Sequence, residues 1–204
     1  MKGSNKMTKN GYPIFDILNG NNSNESCCCS STSNCCDDIS KKEKNILIEY
    51  LYLDLVTCDR CVGTDKVLDE VVALLTPALE LAGYTVEYKK IEMTTIDDAK
   101  KYKFLSSPTI RVNEIDICDS VSENDCKCCG DISGTAVDCR VFEYEGKIYE
   151  VPPKALLAEN ILKTVFSQNT DCSCTEYEVP DNLIRFYEGK ENKSSGCCCD
   201  GGCC

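Results

Sequence analysis

An α/β fold carrying cysteine-rich additions is predicted by three observations. Alternating apolar runs, Ile46 to Val56 and Tyr84 to Met93, flank a segment of near-helical periodicity from Val62 to Leu81. Ser106-Ser107-Pro108 closes a short loop directly before another apolar stretch. Cys58-Asp59-Arg60-Cys61 sits where the first strand gives way to the first helix, the context of a thiol redox site. Strands alternating with helices call for a sheet with helices packed on it.

Residues 1–44 read as a flexible N-terminal arm. Asn and Ser dominate Asn19 to Asn34, which cannot offset an ordering cost of about 1–2 kcal/mol per residue. Within the arm, Ile14 to Leu18 forms a short apolar patch, suited to docking or simply incidental. The folded domain is expected over 45–168. Its aromatic-rich first run suits a central strand. In the following helix Val62, Leu68, Val71, Val72, Leu75 and Leu79 fall on one side, Pro77 predicts a kink and Gly83 suits the end. Thr94 or Thr95 is placed to cap a second helix reaching Phe104.

Arg111 to Ile117 continues as a strand or hairpin, and 118–139 is a cysteine-rich insertion. Arg140 to Tyr144 and Lys147 to Val151, turned by Glu145-Gly146, signal a second hairpin. Pro152-Pro153 opens a helix with Ala155, Leu156, Ile161, Leu162 and Val165 on its apolar face. Residues 169–204 read as a flexible cysteine-rich C-terminal tail, with a short helix from Pro180 to Tyr187 stopped by Gly189. The order β-α-β-α-Pro-β-β-α is that of a thioredoxin-like three-layer fold. On that reading Pro108 is a cis proline that lines the site with Ser107.

The composition excludes several functions. Lys and Arg total 22 against 34 Asp and Glu, a net charge of −12, and no basic stripe offers itself to a nucleic acid. No run is long and apolar enough for a membrane span, and Met1 to Asn5 leads into polar residues without an export-type apolar segment, so a cytoplasmic location is expected. Histidine is absent, which removes His-based triads and catalytic zinc sites.

The 19 cysteines are an odd number, and many are neighbours in sequence. Adjacent Cα atoms lie about 3.8 Å apart, below the roughly 4.4–6.8 Å of an unstrained disulfide. Adjacent thiolates converge more readily on one soft ion. The arm carries Cys27, Cys28, Cys29, Cys35 and Cys36; the tail carries Cys172, Cys174, Cys197, Cys198, Cys199, Cys203 and Cys204. Each end pairs an apolar patch, Ile14 to Leu18 or Leu183 to Tyr187, with a spacer and a CCC-then-CC cluster. Two tethered clusters of one design suit ion capture, at an effective concentration of order mM. Low-complexity drift is the plain alternative.

In the C-x-x-C, Cys58 reads as the exposed attacking thiol and Cys61 as its resolving partner. The positive end of the helix and the Arg60 cation favour a thiolate, with Asp59 partly opposed. Half of a structural zinc site is the alternative. In the insertion, Cys118, Cys126, Cys128 or Cys129, and Cys139 suffice for a tetrahedral zinc staple. Alternatively Cys128, Cys129 and Cys139 lie near Cys58, as a redox relay or a three-thiolate pocket for As(III), Hg(II) or Cu(I).

Glu49-Tyr50-Leu51-Tyr52-Leu53-Asp54, Thr57 to Cys61, Cys126-Lys127-Cys128-Cys129, and Asp138-Cys139-Arg140-Val141-Phe142-Glu143-Tyr144-Glu145-Gly146-Lys147-Ile148-Tyr149-Glu150-Val151-Pro152 together resemble domain of unknown function 2703, a thioredoxin-like family. The resemblance covers about Ile46 to Phe166 and implies the fold, with no established reaction to carry over. The vicinal cysteines of the tail also look like those of arsenic metallochaperones.

The reading that follows is binding and transfer of a thiophilic metal or metalloid, arsenic, mercury or similar, in detoxification. The cargo is a thiolate-bound soft ion (As, Hg, Cu or Zn), and a pump subunit or a reductase is a natural partner. One alternative is a dithiol–disulfide oxidoreductase acting through Cys58 and Cys61; another is a passive metal buffer.

Overall fold

The computed structural model describes residues 44–118, 121–167 and 176–195. Cys27, Cys28, Cys29, Cys35, Cys36, Cys172, Cys174, Cys197, Cys198, Cys199, Cys203 and Cys204 lie outside the described residues. The architecture is mixed α/β, with two sheets and five helices among the described residues.

Strand β1 (Lys44–Tyr52) pairs in parallel with β2 (Tyr84–Glu92) along its whole length, from Lys44 opposite Tyr84 to Tyr52 opposite Glu92. On its other side β1 pairs antiparallel with β3 (Thr109–Val112), and β3 turns back on the short β4 (Ile115–Asp116). The sheet order is β2-β1-β3-β4. Asn113 and Glu114 at that turn have φ of 51° and 68°, the paired left-handed conformation of a tight hairpin.

The period-2 pattern of β1 sends its side chains to opposite faces. Ile46, Ile48 and Tyr50 join an aliphatic core with α1 (Asp59–Leu81) and α4 (Lys154–Phe166), while Leu51 and Leu53 face a second core that contains most of the described cysteines. Helix α1 continues through Pro77, and Gly83, at φ 83°, turns the chain into β2. Helix α2 (Ile96–Lys101) begins with a capping box, Thr95 Oγ1 accepting from Asp98 N at 3.1 Å and Asp98 Oδ2 accepting from Thr95 N at 3.1 Å.

The insertion builds its own small sheet. Strand β5 (Ser122–Asp125) pairs with β6 (Asp138–Tyr144), which pairs with β7 (Lys147–Tyr149), all antiparallel. The hairpin at Glu145-Gly146 therefore belongs to a second sheet and not to the main one. Helix α3 (Lys127–Ser133) lies between β5 and β6.

Helix α2 ends at Lys101, short of the expected Phe104, and two features of the C-terminal segment also differ from the sequence expectation. Residues 181–195, assigned to a tail, form helix α5 (Asp181–Ser195), and its Leu183, Phe186 and Tyr187 are buried in the thiol-containing core. Gly189, expected to stop the helix, lies inside it: a Cβ there would stand 2.5 Å from the Ser133 carbonyl oxygen. Its role is to let α5 touch the backbone at the end of α3, a close approach that only glycine permits.

Candidate metal centre

Two C-x-x-C segments open two helices and meet in the second core. Cys58 is the N-cap residue of α1 and Cys61 lies in its first turn; Cys126 is the N-cap residue of α3 and Cys129 lies in its first turn. Neither N-cap side chain caps its own helix. Asp54 shapes the approach to α1 instead: its Oδ1 accepts from the backbone N–H of Val56 at 3.0 Å, of Thr57, and of Cys58 at 2.9 Å. Those bonds fix the loop that delivers Cys58 from the end of β1.

The sulfurs of Cys58, Cys126 and Cys129 all lie within 4.8 Å of one another. Cys129 Sγ is 3.7 Å from Cys58 Sγ, and Cys139 Sγ, on β6, is 3.3 Å from Cys129 Sγ. Cys61 bonds to Cys58 and also places its Sγ 3.3 Å from Ser107 Oγ. All seven described cysteines are thiols. Exposure is zero for Cys58, Cys61, Cys129 and Cys139 and 3% for Cys126. The expectation of an exposed attacking Cys58 is therefore corrected: it is buried in a core shared with cysteines of the insertion and with Leu183, Phe186 and Tyr187 of α5.

The thiols share charge. Hydrogen bonds from Cys126, Cys129 and Cys139 hold the Cys58 thiol well below its ordinary range. Cys126 is lowered to about 7, mainly by Cys129 and Cys139. Cys129 is pushed up mainly by its bond to Cys126, as is Cys139, and Cys61 is pushed up by its bond to Cys58 and by burial. A cluster of thiols around one or two thiolates is a donor set for a soft cation, which replaces the shared protons.

Arg60 has a different role from the one its position suggests. It is 7% exposed, and its guanidinium donates to the carbonyl oxygens of Asn124 (3.3 Å), Asp125 (2.7 Å) and Cys139 (3.1 Å) and to Glu150 Oε1 at 2.7 Å. The fork of donors thus clamps β5 and β6 to the start of α1. It orders the cluster through the backbone carbonyls of Asn124, Asp125 and Cys139.

The loop before β3 and helix α5 complete the walls. The Ser107–Pro108 peptide bond is cis. Ser107 O accepts from Arg140 N at 2.7 Å, and Ser107 Oγ accepts from Leu53 N at 3.2 Å, tying the main sheet to β6 beside Cys61. From α5, Asn182 pairs with both backbone groups of Asp138 (2.9 and 2.5 Å), and Tyr187 OH donates to Met93 O at 3.0 Å.

Two predicted ligands stand apart. Cys118 packs with the aliphatic core, its carbonyl accepting from Arg140 Nη2 at 3.1 Å, so the zinc set that includes it is not assembled. Cys128 is half-buried, with its Sγ 3.8 Å from Asp59 Oδ2, outside the three-thiol group. The importance of Cys126 with Cys129 was visible in the sequence as a second C-x-x-C, hidden inside Cys126-Lys127-Cys128-Cys129.

The chain belongs to a known family. A family model described as Domain of unknown function (DUF2703) matches residues 46–161, more than half of the chain. The matched span holds both C-x-x-C segments and Cys139, but ends before α5. No curated protein and no solved structure matches the chain. No described helix is long and apolar enough to cross a membrane.

Proposed function

We propose that this DUF2703 member is a thioredoxin-like protein that binds and transfers a thiophilic metal or metalloid ion, As(III) or Hg(II) being the cargo its thiols suit best. The observation that carries the reading is the convergence of the buried Cys58, Cys126 and Cys129 within 4.8 Å of one another. A soft ion bonded to thiolates at about 2.3 Å sets their sulfurs about 4 Å from one another, so the three, with Cys58 and Cys129 at 3.7 Å, need only a small adjustment. A dithiol oxidoreductase needs a thiol its substrate can reach, and here Cys58 and Cys61 are both fully buried. The thioredoxin-like part of the proposal is supported by the β2-β1-β3-β4 order, the C-x-x-C between β1 and α1, and the cis Ser107–Pro108 bond beside Cys61. The vicinal cysteines of both ends would gather the ion and pass it inward by thiolate exchange, with a pump subunit or a reductase as recipient and detoxification as the purpose.

The test is anaerobic titration of the reduced full-length protein with As(III), Hg(II), Cu(I) and Zn(II). A variant carrying Cys58→Ser, Cys126→Ser and Cys129→Ser together serves as the comparison. Loss of one tightly held equivalent of As(III) or Hg(II) is expected. Unchanged stoichiometry and affinity in the variant would reject the core as an ion site.

A further inference from the structure

Two C-x-x-C segments at the starts of two helices would ordinarily pool all four of their cysteines around one tetrahedral ion. The geometry here points to a different fourth ligand: we infer that Cys139, not Cys61, completes a four-thiolate site with Cys58, Cys126 and Cys129 for ions that require tetrahedral coordination, such as Cd(II) or Zn(II). The inference rests on the proposed ion-binding role of the same pocket and adds what decides its selectivity.

Cys139 Sγ lies 3.3 Å from Cys129 Sγ, closer than the 3.7 Å between Cys129 and Cys58. Cys58, Cys126 and Cys129 lie within 4.8 Å of one another and Cys139 touches Cys129, while Cys61 bonds to Cys58. Cys61 Sγ is also engaged by Ser107 Oγ at 3.3 Å, and its backbone is pinned by Tyr50 OH, which donates to Cys61 O at 2.7 Å. Cys139 is held in place by Arg60, whose Nη1 donates to the Cys139 carbonyl at 3.1 Å. Arg60 stands between the two cysteines of the first C-x-x-C, so the motif that loses Cys61 as a ligand supplies the side chain that positions its replacement.

Sulfurs at the corners of a tetrahedron around an ion bonded at about 2.3 Å are about 3.8 Å apart. Cys139 meets that spacing from Cys129 with a small shift, while it lies outside the group in which every sulfur is within 4.8 Å of every other. The three inner thiols therefore suit a three-coordinate ion as they stand, and recruitment of Cys139 converts the same pocket to four-coordination. Filling the site breaks no sulfur–hydrogen bond by redox chemistry: each ligating thiol exchanges its proton for the ion, and the protons leave to solvent.

The experiment is cadmium-113 NMR of the reduced full-length protein loaded with Cd(II), run beside As(III) titration, on the parent and on Cys58→Ser, Cys61→Ser, Cys139→Ser and Cys139→Ala. The core resonance is identified as the one lost in Cys58→Ser, which separates it from sites on the terminal cysteines. The inference expects that resonance to persist in Cys61→Ser and to vanish or move upfield in both Cys139 variants. The Cys139 variants should keep the core As(III) equivalent within about twofold of the parent affinity, which also shows that they fold. A core resonance unmoved in both Cys139 variants, or lost in Cys61→Ser, overturns the assignment, as does loss of As(III) binding in parallel with Cd(II). Failure of the parent to bind any ion in the core would instead reject the proposed function.

Discussion

The two faces of the main sheet are built on different principles. On the α1 and α4 side, Ile48, Leu68, Val71 and Leu157 make an aliphatic core from elements of regular periodicity. On the other side Leu51, Met93, Phe104 and Phe186 enclose thiols delivered by two helix starts and β6, with the loop at Ser107 beside them. The first face obtains its stability from buried hydrocarbon. The second exchanges part of that for polar sulfurs and relies on hydrogen bonds to backbone to keep them in place. Stability and chemistry are thereby separated across one sheet.

The largest expected effect breaks this division most directly. Leu157→Ala and Phe186→Ala each remove a side chain with zero exposure and should each cost about 3–5 kcal/mol in denaturant unfolding. Under conditions where both variants remain folded, Leu157→Ala should leave Cd(II) and As(III) affinity in the core unchanged, while Phe186→Ala weakens both at least tenfold. Equal effects on binding would show that the faces are not independent.

Arg60→Ala follows, at about 3 kcal/mol, because three carbonyl groups lose their charged donor. Glu150→Gln tests the other end of the clamp. Its side chain is 61% exposed, so it should cost less than about 1 kcal/mol. Comparing the two in chemical denaturation separates the backbone clamp from the ion pair. Gly189→Ala comes next: in an unconstrained helix alanine stabilises, but here the Cβ meets the Ser133 carbonyl oxygen at 2.5 Å, and a loss of about 1–3 kcal/mol is expected.

The regular face was largely legible in the sequence. The apolar alternation of β1, the spacing of Leu68, Val71 and Val72, and the Thr95 cap are local signals, read without knowledge of the fold. The thiol face was legible only in part. Cys58 and Cys61 were placed by the strand–helix junction, but nothing local distinguishes the cysteine that turns to Ser107 from the one that joins the cluster. Arg60 was read as a cation beside a thiolate because its actual partners are mostly backbone carbonyls, which leave no mark on residue identity. Leu183, Phe186 and Tyr187 showed helical spacing, yet their polar surroundings and Gly189 made them look like a patch on a tail. A glycine that ends one helix and a glycine that seats another are identical in sequence; the neighbour decides.

Smaller effects sharpen the picture through pH. The lowered Cys126 thiol implies that, in the reduced ion-free protein, one thiolate appears as pH rises through about 7, with Cys58 ionising before it. Ordinary thiols ionise near about 8.5. Ultraviolet thiolate absorbance should therefore show an early step that disappears in Cys126→Ser. A single step at the ordinary thiol value would contradict the cluster's hydrogen bonding.

The smallest effect lies at α2. Hydrogen bonds from Thr95 and Thr94 lower the Asp98 carboxyl, so its contribution is present above the usual carboxylate range and is lost as pH falls through the lower folded value. Asp98→Asn should cost less than about 1 kcal/mol at neutral pH, with the difference closing in acid, measured as paired melting curves.

Burial of the five inner thiols sets a rhythm for the whole molecule. A reagent, or an ion carried by a small thiol, reaches Cys58 or Cys129 only when the elements around these fully buried thiols part. At high carrier concentration, uptake should cease to rise and settle at the rate of that parting, which alkylation of the same cysteines would report independently. The protein's cover then acts as a clock: what arrives outside determines how often the door is tried, and the fold determines how often it opens.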